Sequence, residues 1–292
     1  MSGTPLLQVE GLSKDFISRG LRLSAVDNVS FEIGEGETFG LIGESGSGKS
    51  TLGRMILRLE NVSHGSVRLA GQDITHMRGR ALTEVRRQLQ AVFQDPYSAL
   101  NPRMTVGDLI AEPLVVHGYS GGRKARNARV SELLAKVGLT ADAAQRFPHQ
   151  FSGGQRQRVG IARALALSPR LIVADEPVTA LDVSIQAQII NLLQDLQQAT
   201  GISFLFIAHD LNLVRHLCHR IGVMWQGRIV ECGPTADIFD DPRHPYTQAL
   251  LAAIPVPDPD IERHRRHSRY LPPSGKEIPK RVEINTRHWI LA

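Results

Sequence analysis

The chain has 292 residues, of which 42% are hydrophobic and 22% are charged. This composition is that of an ordinary globular protein and excludes a mostly disordered chain, and no apolar run reaches the ~20 residues of a membrane span. The formal net charge is +5, but the whole excess lies in residues 261–292, where eight Lys or Arg stand against three Asp or Glu. The rest of the chain is balanced, which disfavours a nucleic-acid-binding surface.

The start of the chain and its cysteines indicate the compartment. Residues 1–12 have no basic segment followed by an apolar one, so we expect no signal peptide. The cysteines are Cys218 and Cys232, too few for a disulfide framework in a chain of this length. We therefore expect a reducing, cytoplasmic setting.

Apolar runs and helical spacing alternate along the chain. Strands are predicted at 6–12, 30–33, 38–42, 66–69, 90–93, 171–174 and 203–208, and helices at 51–59, 105–114, 131–137 and 184–200. Strands separated by helices predict an α/β fold with a mostly parallel central sheet. Only helices are predicted between about 94 and 150, which indicates a small inserted helical subdomain. Repeated prolines after Gly233 predict a domain over residues 1–255, followed by a proline-rich basic tail over residues 256–292.

The first chemical motif follows the predicted strand 38–42. Gly43, Glu44, Ser45, Gly46, Ser47, Gly48, Lys49 and Ser50 match the phosphate-loop pattern G-x-x-x-x-G-K-[ST], and Thr51 begins the predicted helix. Glycines let successive backbone N–H groups point at a phosphate, and the helix N-terminus adds its positive end. Lys49 would contact the β- and γ-phosphates and Ser50 would bind Mg²⁺, so a nucleotide-binding P-loop fold is predicted. A plain glycine-rich turn is the alternative.

A second apolar strand, 171–174, ends in two carboxylates. In a P-loop enzyme the first, Asp175, holds Mg²⁺, and the second, Glu176, can orient or deprotonate the attacking water. A strand that ends in two solvated acids is the alternative, which the complete phosphate loop disfavours.

A serine- and glycine-rich segment precedes the helical stretch 156–165. Ser152, Gly153, Gly154 and Gln155 would place a hydroxyl and backbone N–H groups at a helix N-terminus, which makes a second anion site. Because the chain has one phosphate loop, this site indicates contact with the nucleotide of another subunit. With Phe151 before it, the segment resembles the LSGGQ signature of the ATP-binding cassette (ABC) ATPases, with phenylalanine in place of leucine. A Ser-Gly-Gly linker is the alternative for these five residues alone.

The other elements of that family occur in the order that the resemblance requires. Gln94 matches the glutamine that meets Mg²⁺ and the attacking water, residues 180–182 match the D-loop, and His209 matches the histidine that contacts the γ-phosphate. Phe16 lies where the family places an aromatic side chain on adenine, usually a tyrosine. Taken singly, Gln94, His209 and Phe16 would be interpreted as a surface amide, a strand-end histidine and a core aromatic residue. The resemblance implies ATP and Mg²⁺ as cofactors, and hydrolysis in a head-to-tail pair of cassettes.

Three further stretches make the chain similar to the ATPases of peptide, nickel and opine importers. Residues 93–103 read FQDPYSALNPR, residues 181–188 read LDVSIQAQ, and residues 244–251 read HPYTQALL. The resemblance implies a second, usually non-identical, ATPase subunit, two transmembrane permease subunits and, indirectly, a solute-binding protein. It implies a peripheral location on the cytoplasmic face of the bacterial inner membrane. The helical subdomain, which begins at Gln94, is predicted to contact the permeases, and packing of its apolar residues against one another is the alternative. Di- or oligopeptides are the implied cargo, and nickel, glutathione or opines are alternatives.

The tail departs from the family pattern. Residues 271–275 resemble its proline-rich segment, but the cysteines that hold an iron–sulfur cluster in some members are missing, so we expect no cluster. The sequence leaves open whether the tail folds, or docks on a partner or on anionic lipid headgroups, and solvated disorder is the default expectation. A non-transport ABC ATPase and a P-loop kinase or GTPase are further alternatives. The short insertion between Lys49 and Ser152 disfavours the first, and the signature segment disfavours the second.

Overall fold

The larger of two sheets carries the strands that end at the predicted site. The computed structural model describes residues 4–18, 21–95, 97, 99–253 and 280–292. In spatial order, this sheet consists of β11 (Arg281–Asn285), β12 (His288–Leu291), β10 (Arg228–Pro234), β9 (Arg220–Trp225), β3 (Thr38–Ile42), β8 (Ser203–Ile207), β7 (Leu171–Asp175) and β6 (Leu89–Val92). The five strands from β9 to β6 run parallel, and β10, β12 and β11 are added antiparallel. The predicted α/β fold with a mostly parallel central sheet is confirmed.

The second sheet is antiparallel and packs over the start of the first helix. Its order is β2 (Leu21–Ile33), β1 (Leu7–Ser18), β4 (His64–Leu69) and β5 (Gln72–Asp73). Helix α1 (Lys49–Ile56) contributes to the core that both sheets share. That core includes the fully buried side chains Leu7, Ile33, Leu41 and Met55. Burial of this apolar surface fixes α1, and hence the loop before it, between the two sheets.

Helices cover the larger sheet and form the inserted subdomain. Those of the main unit, besides α1, are α2 (Gly79–Gln88), α6 (Val183–Thr200), α7 (Leu211–Leu217), α8 (Thr235–Asp240) and α9 (Pro245–Ala252). The subdomain contains α3 (Val106–Val116) and α4 (Gly122–Lys136), which pack against α5 (Gly153–Leu165) through buried side chains such as Leu109, Leu133 and Val159. None of the helices in the described ranges is both long and apolar enough to cross a membrane.

Some elements were missed by the periodicity of the sequence. Strands β9 and β10 were not predicted, because Gly222 and Gly233 interrupt their apolar runs and the fully buried Glu231 lies inside β10. Helix α4 begins at Gly122, well before the predicted 131–137, because its first turns are polar and exposed. For the two strands the tertiary environment, rather than local hydrophobicity, decides the element. The exposed start of α4 has no apolar periodicity from which it could be predicted.

The end of the tail is folded. Strand β12 pairs with β10, where Trp289 lies opposite Cys232, and β11 pairs with β12. These pairings and the burial of His288 and Trp289 show that the default expectation of solvated disorder is wrong for residues 280–292. The predicted boundary near residue 255 and the segment 271–275 lie outside the described residues, and the division into a domain and a tail stays a prediction.

Candidate functional site

The phosphate loop joins β3 to α1 in the conformation that its glycines allow. Gly43 and Gly48 have φ of 149° and 104°, in a region that side chains disfavour. A Cβ on Gly43 would lie 2.1 Å from the carbonyl oxygen of Met224, and one on Gly48 would lie 2.2 Å from that of Ala25. The loop is therefore pressed between β9 and β2, which sets the directions of its N–H groups.

We expect Gly48→Ala to destabilise the protein more than Gly46→Ala does. Both residues have positive φ, but a Cβ on Gly46 meets nothing within 4 Å. The left-handed backbone costs an alanine about 1–2 kcal/mol at either position, and the collision with the Ala25 carbonyl adds about 1–3 kcal/mol at Gly48 only. Free energies of unfolding from denaturant titration measure the difference. Equal losses would show that the approach to Ala25 does not restrict the loop.

The Lys49 side chain folds back into the loop. Its ammonium group, on a residue only 5% exposed, donates to the carbonyl oxygens of Gly43 at 2.9 Å and Glu44 at 2.8 Å. Burial lowers the pKa of Lys49, while the carboxylates of Glu176 and Asp175 act in the opposite direction. The arrangement places a positive charge inside the phosphate loop, where phosphate charge would be attracted.

Two oxygen groups converge at the ends of α1 and β7. The Ser50 hydroxyl donates to Oδ1 of Asp175 at 2.9 Å. Burial raises the pKa of the Asp175 carboxyl, and the hydrogen bond from Ser50 opposes that effect. A hydroxyl beside a carboxylate at the mouth of a phosphate loop is a donor set of hard oxygens, which fits Mg²⁺.

Glu176 and His209 lie together at the same edge of the sheet. Oε2 of Glu176 is 3.3 Å from Nδ1 of His209, which follows β8. Glu176 has a φ of 48°, unusual for a residue with a side chain, and its N–H donates to the carbonyl oxygen of Ile207 at 2.9 Å. The hydrogen bond to β8 holds this strained turn at the end of β7.

Gln94 occupies the corresponding position on the next strand. Val92 of β6 pairs in parallel with Ala174 of β7, so Gln94 and Glu176 each lie two residues beyond that pair. The Gln94 residue is exposed. Its predicted role toward Mg²⁺ and water stays a prediction.

The signature segment forms the N-terminus of α5. The Ser152 hydroxyl accepts from the N–H of Gln155 at 3.3 Å, and the Gln155 side chain accepts from the N–H of Ser152 at 3.0 Å. A Cβ on Gly154 would lie 2.4 Å from Cγ2 of Ile185, so glycine permits the close contact of α5 with α6. Within the described residues, no hydrogen bond or ion pair joins 152–155 to the phosphate loop. The two predicted anion sites, the phosphate loop and residues 152–155, are thus separate segments within the described residues.

Phe16 lies on β1, away from the core. It is 39% exposed, and the ammonium of Lys14 lies 4.9 Å from its ring centroid. An exposed ring is available for stacking, so the alternative of a core aromatic residue does not hold. Its contact with adenine stays a prediction.

Two hydrogen bonds to the phosphate loop were not predicted from the sequence. The Ser47 carbonyl oxygen accepts from the N–H of Gly227 at 2.9 Å, in the turn after β9. The N–H of Glu44 donates to the hydroxyl of Tyr246 at 3.2 Å. Tyr246 belongs to the HPYTQALL stretch, which the sequence already marked as similar to importer ATPases. No local pattern in that stretch indicates contact with a loop some 200 residues earlier.

Comparison with known proteins covers both halves of the chain. A family model described as "ABC transporter" matches residues 26–179, and one described as "Oligopeptide/dipeptide transporter, C-terminal region" matches residues 230–280. The oligopeptide transport ATP-binding protein OppF of Bacillus subtilis is 52% identical over 268 residues, covering 91% of this chain and 88% of the relative. OppF of Streptococcus mutans is 50% identical over 291 residues, covering 98% and 94%.

Solved structures show the same fold. The ATP-binding cassette MJ0796, in a dimeric post-hydrolysis state bound to ADP and Pi, has a TM-score of 0.72 and 32% identity, covering 78% of this chain and 98% of its own. CbiO1 of Clostridium perfringens, part of the transporter complex cbiONQ, has a TM-score of 0.73 and 26% identity, covering 82% and 92%.

Proposed function

The chain belongs to the ABC transporter family, and we propose that it is the ATPase subunit of an importer of di- or oligopeptides. One observation carries the ATPase assignment: Lys49, the Ser50–Asp175 pair and the Glu176–His209 pair meet at one edge of the sheet. The peptide cargo is supported by the names of relatives with about half of their residues identical and by the C-terminal family match.

The loop residues bind and orient the triphosphate. Lys49, already at the centre of the loop, would donate to the β- and γ-phosphates, and the exposed ring of Phe16 would stack on adenine. Ser50 and Asp175 would hold Mg²⁺ with Gln94. When bound, this ion neutralises charge on the phosphate oxygens.

Glu176 would act on the attacking water. Its carboxylate accepts a proton as the water oxygen bonds to the γ-phosphorus and the bond from that phosphorus to the bridging oxygen breaks. His209, 3.3 Å from the carboxylate, would orient it and donate to the γ-phosphate. The contact with His209 holds the Glu176 carboxylate near the end of β8 before substrate arrives.

Each site would be completed by a second cassette. Because 152–155 share no polar contact with the phosphate loop of their own chain in the described residues, we infer that Ser152, Gly153, Gly154 and Gln155 face the ATP of the partner. The relative MJ0796 is described as dimeric with ADP and Pi. The proposed partner is a different ATPase chain, and a homodimer is the alternative.

The proposed complex places this subunit at the cytoplasmic face of the bacterial inner membrane. Its partners there are two permease subunits, contacted through the helical subdomain, and, across the membrane, a solute-binding protein. Nickel, glutathione or an opine is the alternative cargo, and a non-transport role is the more distant alternative. Co-purification distinguishes a transporter subunit from a non-transport ATPase. Permeases would accompany the first, and ribosomes or DNA would accompany the second.

ATP hydrolysis by the reconstituted transporter tests the assignment. We expect slow hydrolysis by the isolated chain, and stimulation when permeases, second cassette and peptide-loaded binding protein are present, because each site needs a signature segment from the partner. The control is the same complex with unloaded binding protein. If another solute stimulates hydrolysis and peptide does not, peptide is not the cargo, but the assignment as an importer subunit is unaffected. Full-rate hydrolysis by a monomer would refute the shared site.

A further inference from the structure

A tyrosine of helix α9 holds the phosphate loop from outside. The hydroxyl of Tyr246 accepts the hydrogen bond from the backbone N–H of Glu44 at 3.2 Å. The residue is 2% exposed, and its ring packs against Trp225, with centroids 5.8 Å apart. Burial raises the pKa of Tyr246, so its hydroxyl is neutral at physiological pH. The loop is therefore fixed at Glu44 by a side chain that cannot move without disturbing the end of β9.

The segment that leads into α9 is fixed by a carboxylate of β10. Glu231 is fully buried, and its two oxygens accept from the backbone N–H groups of Arg243 at 2.8 Å and His244 at 3.0 Å. His244 then caps the helix, because its Nδ1 accepts from the N–H of Tyr246 at 3.1 Å. Burial lowers the pKa of His244, which favours the neutral imidazole that can accept this bond. Glu231 thus fixes the start of α9, the helix that carries Tyr246.

A third partner of that carboxylate comes from the C-terminal hairpin. Nε2 of His288 lies 2.8 Å from Oε1 of Glu231, with side-chain exposures of 3% and 0%. The Nδ1 edge of the same ring faces Asp237 at 3.8 Å. A buried carboxylate needs a full set of donors, so loss of His288 would disturb the groups that share Glu231.

We propose that Tyr246 is a positioning residue of the phosphate loop, and that the buried Glu231–His288 pair fixes the helix from which it acts. Continuous contacts lead from the C-terminal hairpin through Glu231, the start of α9 and Tyr246 to Glu44. The last residues of the chain therefore contribute to nucleotide binding without touching nucleotide. This inference rests on the proposed function, since it assigns ATP to the loop.

Removal of one oxygen atom tests the contact at the loop. Tyr246→Phe keeps the ring against Trp225 and deletes the acceptor of the Glu44 N–H. In the purified full chain we expect the Kd for a fluorescent ATP analogue to rise about fivefold, the effect of one neutral hydrogen bond. Amide exchange of the peptide that contains residues 43–50 should accelerate. Tyr119→Phe, at an exposed tyrosine of the helical subdomain, is the matched control and should leave both values unchanged.

A second pair of variants tests the support from the hairpin. His288→Gln retains an N–H donor that can reach Glu231, whereas His288→Leu has none. We expect the leucine variant to weaken analogue binding severalfold and the glutamine variant to restore most of it. Wild-type Kd values in both Tyr246→Phe and His288→Leu would overturn the proposal, as would accelerated exchange confined to the hairpin. Failure of the wild-type chain to bind the analogue would instead refute the proposed function.

Discussion

Glu176→Gln should retain ATP binding and lose steady-state hydrolysis by a factor of about 10²–10⁴, the usual contribution of a general base. Glutamine has the shape of glutamate but cannot accept the proton of the attacking water. The groups that attract the phosphates, Lys49 and the loop N–H groups, are untouched. With binding intact and hydrolysis blocked, the two cassettes should remain closed on ATP. Steady-state hydrolysis and size-exclusion chromatography with ATP measure the two effects.

The control for this variant is Glu84→Gln, which makes the same chemical change at an exposed position of α2. It should hydrolyse ATP like the wild-type complex. If Glu176→Gln also turns over near the wild-type rate, Glu176 is not the base, and the 3.3 Å contact with His209 serves another purpose.

The parts of the site that were predicted from sequence are those set by local rules. The phosphate loop is contiguous, and its glycines have the positive φ that the motif requires. Asp175 and Glu176 follow a short apolar strand, and His209 follows another. Because β7 and β8 are parallel neighbours, their carboxyl ends meet at one edge, so the pairing of Glu176 with His209 follows from the fold class.

The parts that were missed depend on contacts between distant segments. The Tyr246–Glu44 bond and the Glu231–His288 pair join residues 202 and 57 positions apart. Glu231 is an acidic residue and yet fully buried, whereas hydrophobicity patterns assign an acidic residue to the surface. Because Glu231 interrupts the apolar run of β10, this strand was not predicted. The strand with which the C-terminal hairpin pairs was therefore missed as well. Buried polar pairs are specified by their partners, which a single local pattern cannot reveal.

Lys49→Ala should act on the step that precedes hydrolysis. The Lys49 ammonium is a buried charge bonded to the carbonyl oxygens of Gly43 and Glu44, which points it into the loop. A charge-assisted hydrogen bond contributes about 1.5–3 kcal/mol, so the Kd for ATP should rise about 10- to 100-fold. Hydrolysis falls with it, and the closed dimer expected for Glu176→Gln should not form in the double variant, because closure needs bound ATP.

Lys124→Ala is the matched control, since Lys124 is an exposed lysine on α4 where alanine suits the helix. It should bind ATP as the wild type does, which excludes an effect of net charge. The free energy of unfolding, measured without nucleotide, separates an effect on binding from an effect on folding. Because Lys49→Ala also removes the hydrogen bonds to the loop carbonyls, we expect a small decrease in this free energy. An unchanged Kd for ATP in Lys49→Ala would show that the ammonium only braces the loop carbonyls. The phosphate would then be held by the backbone N–H groups and the end of α1 alone.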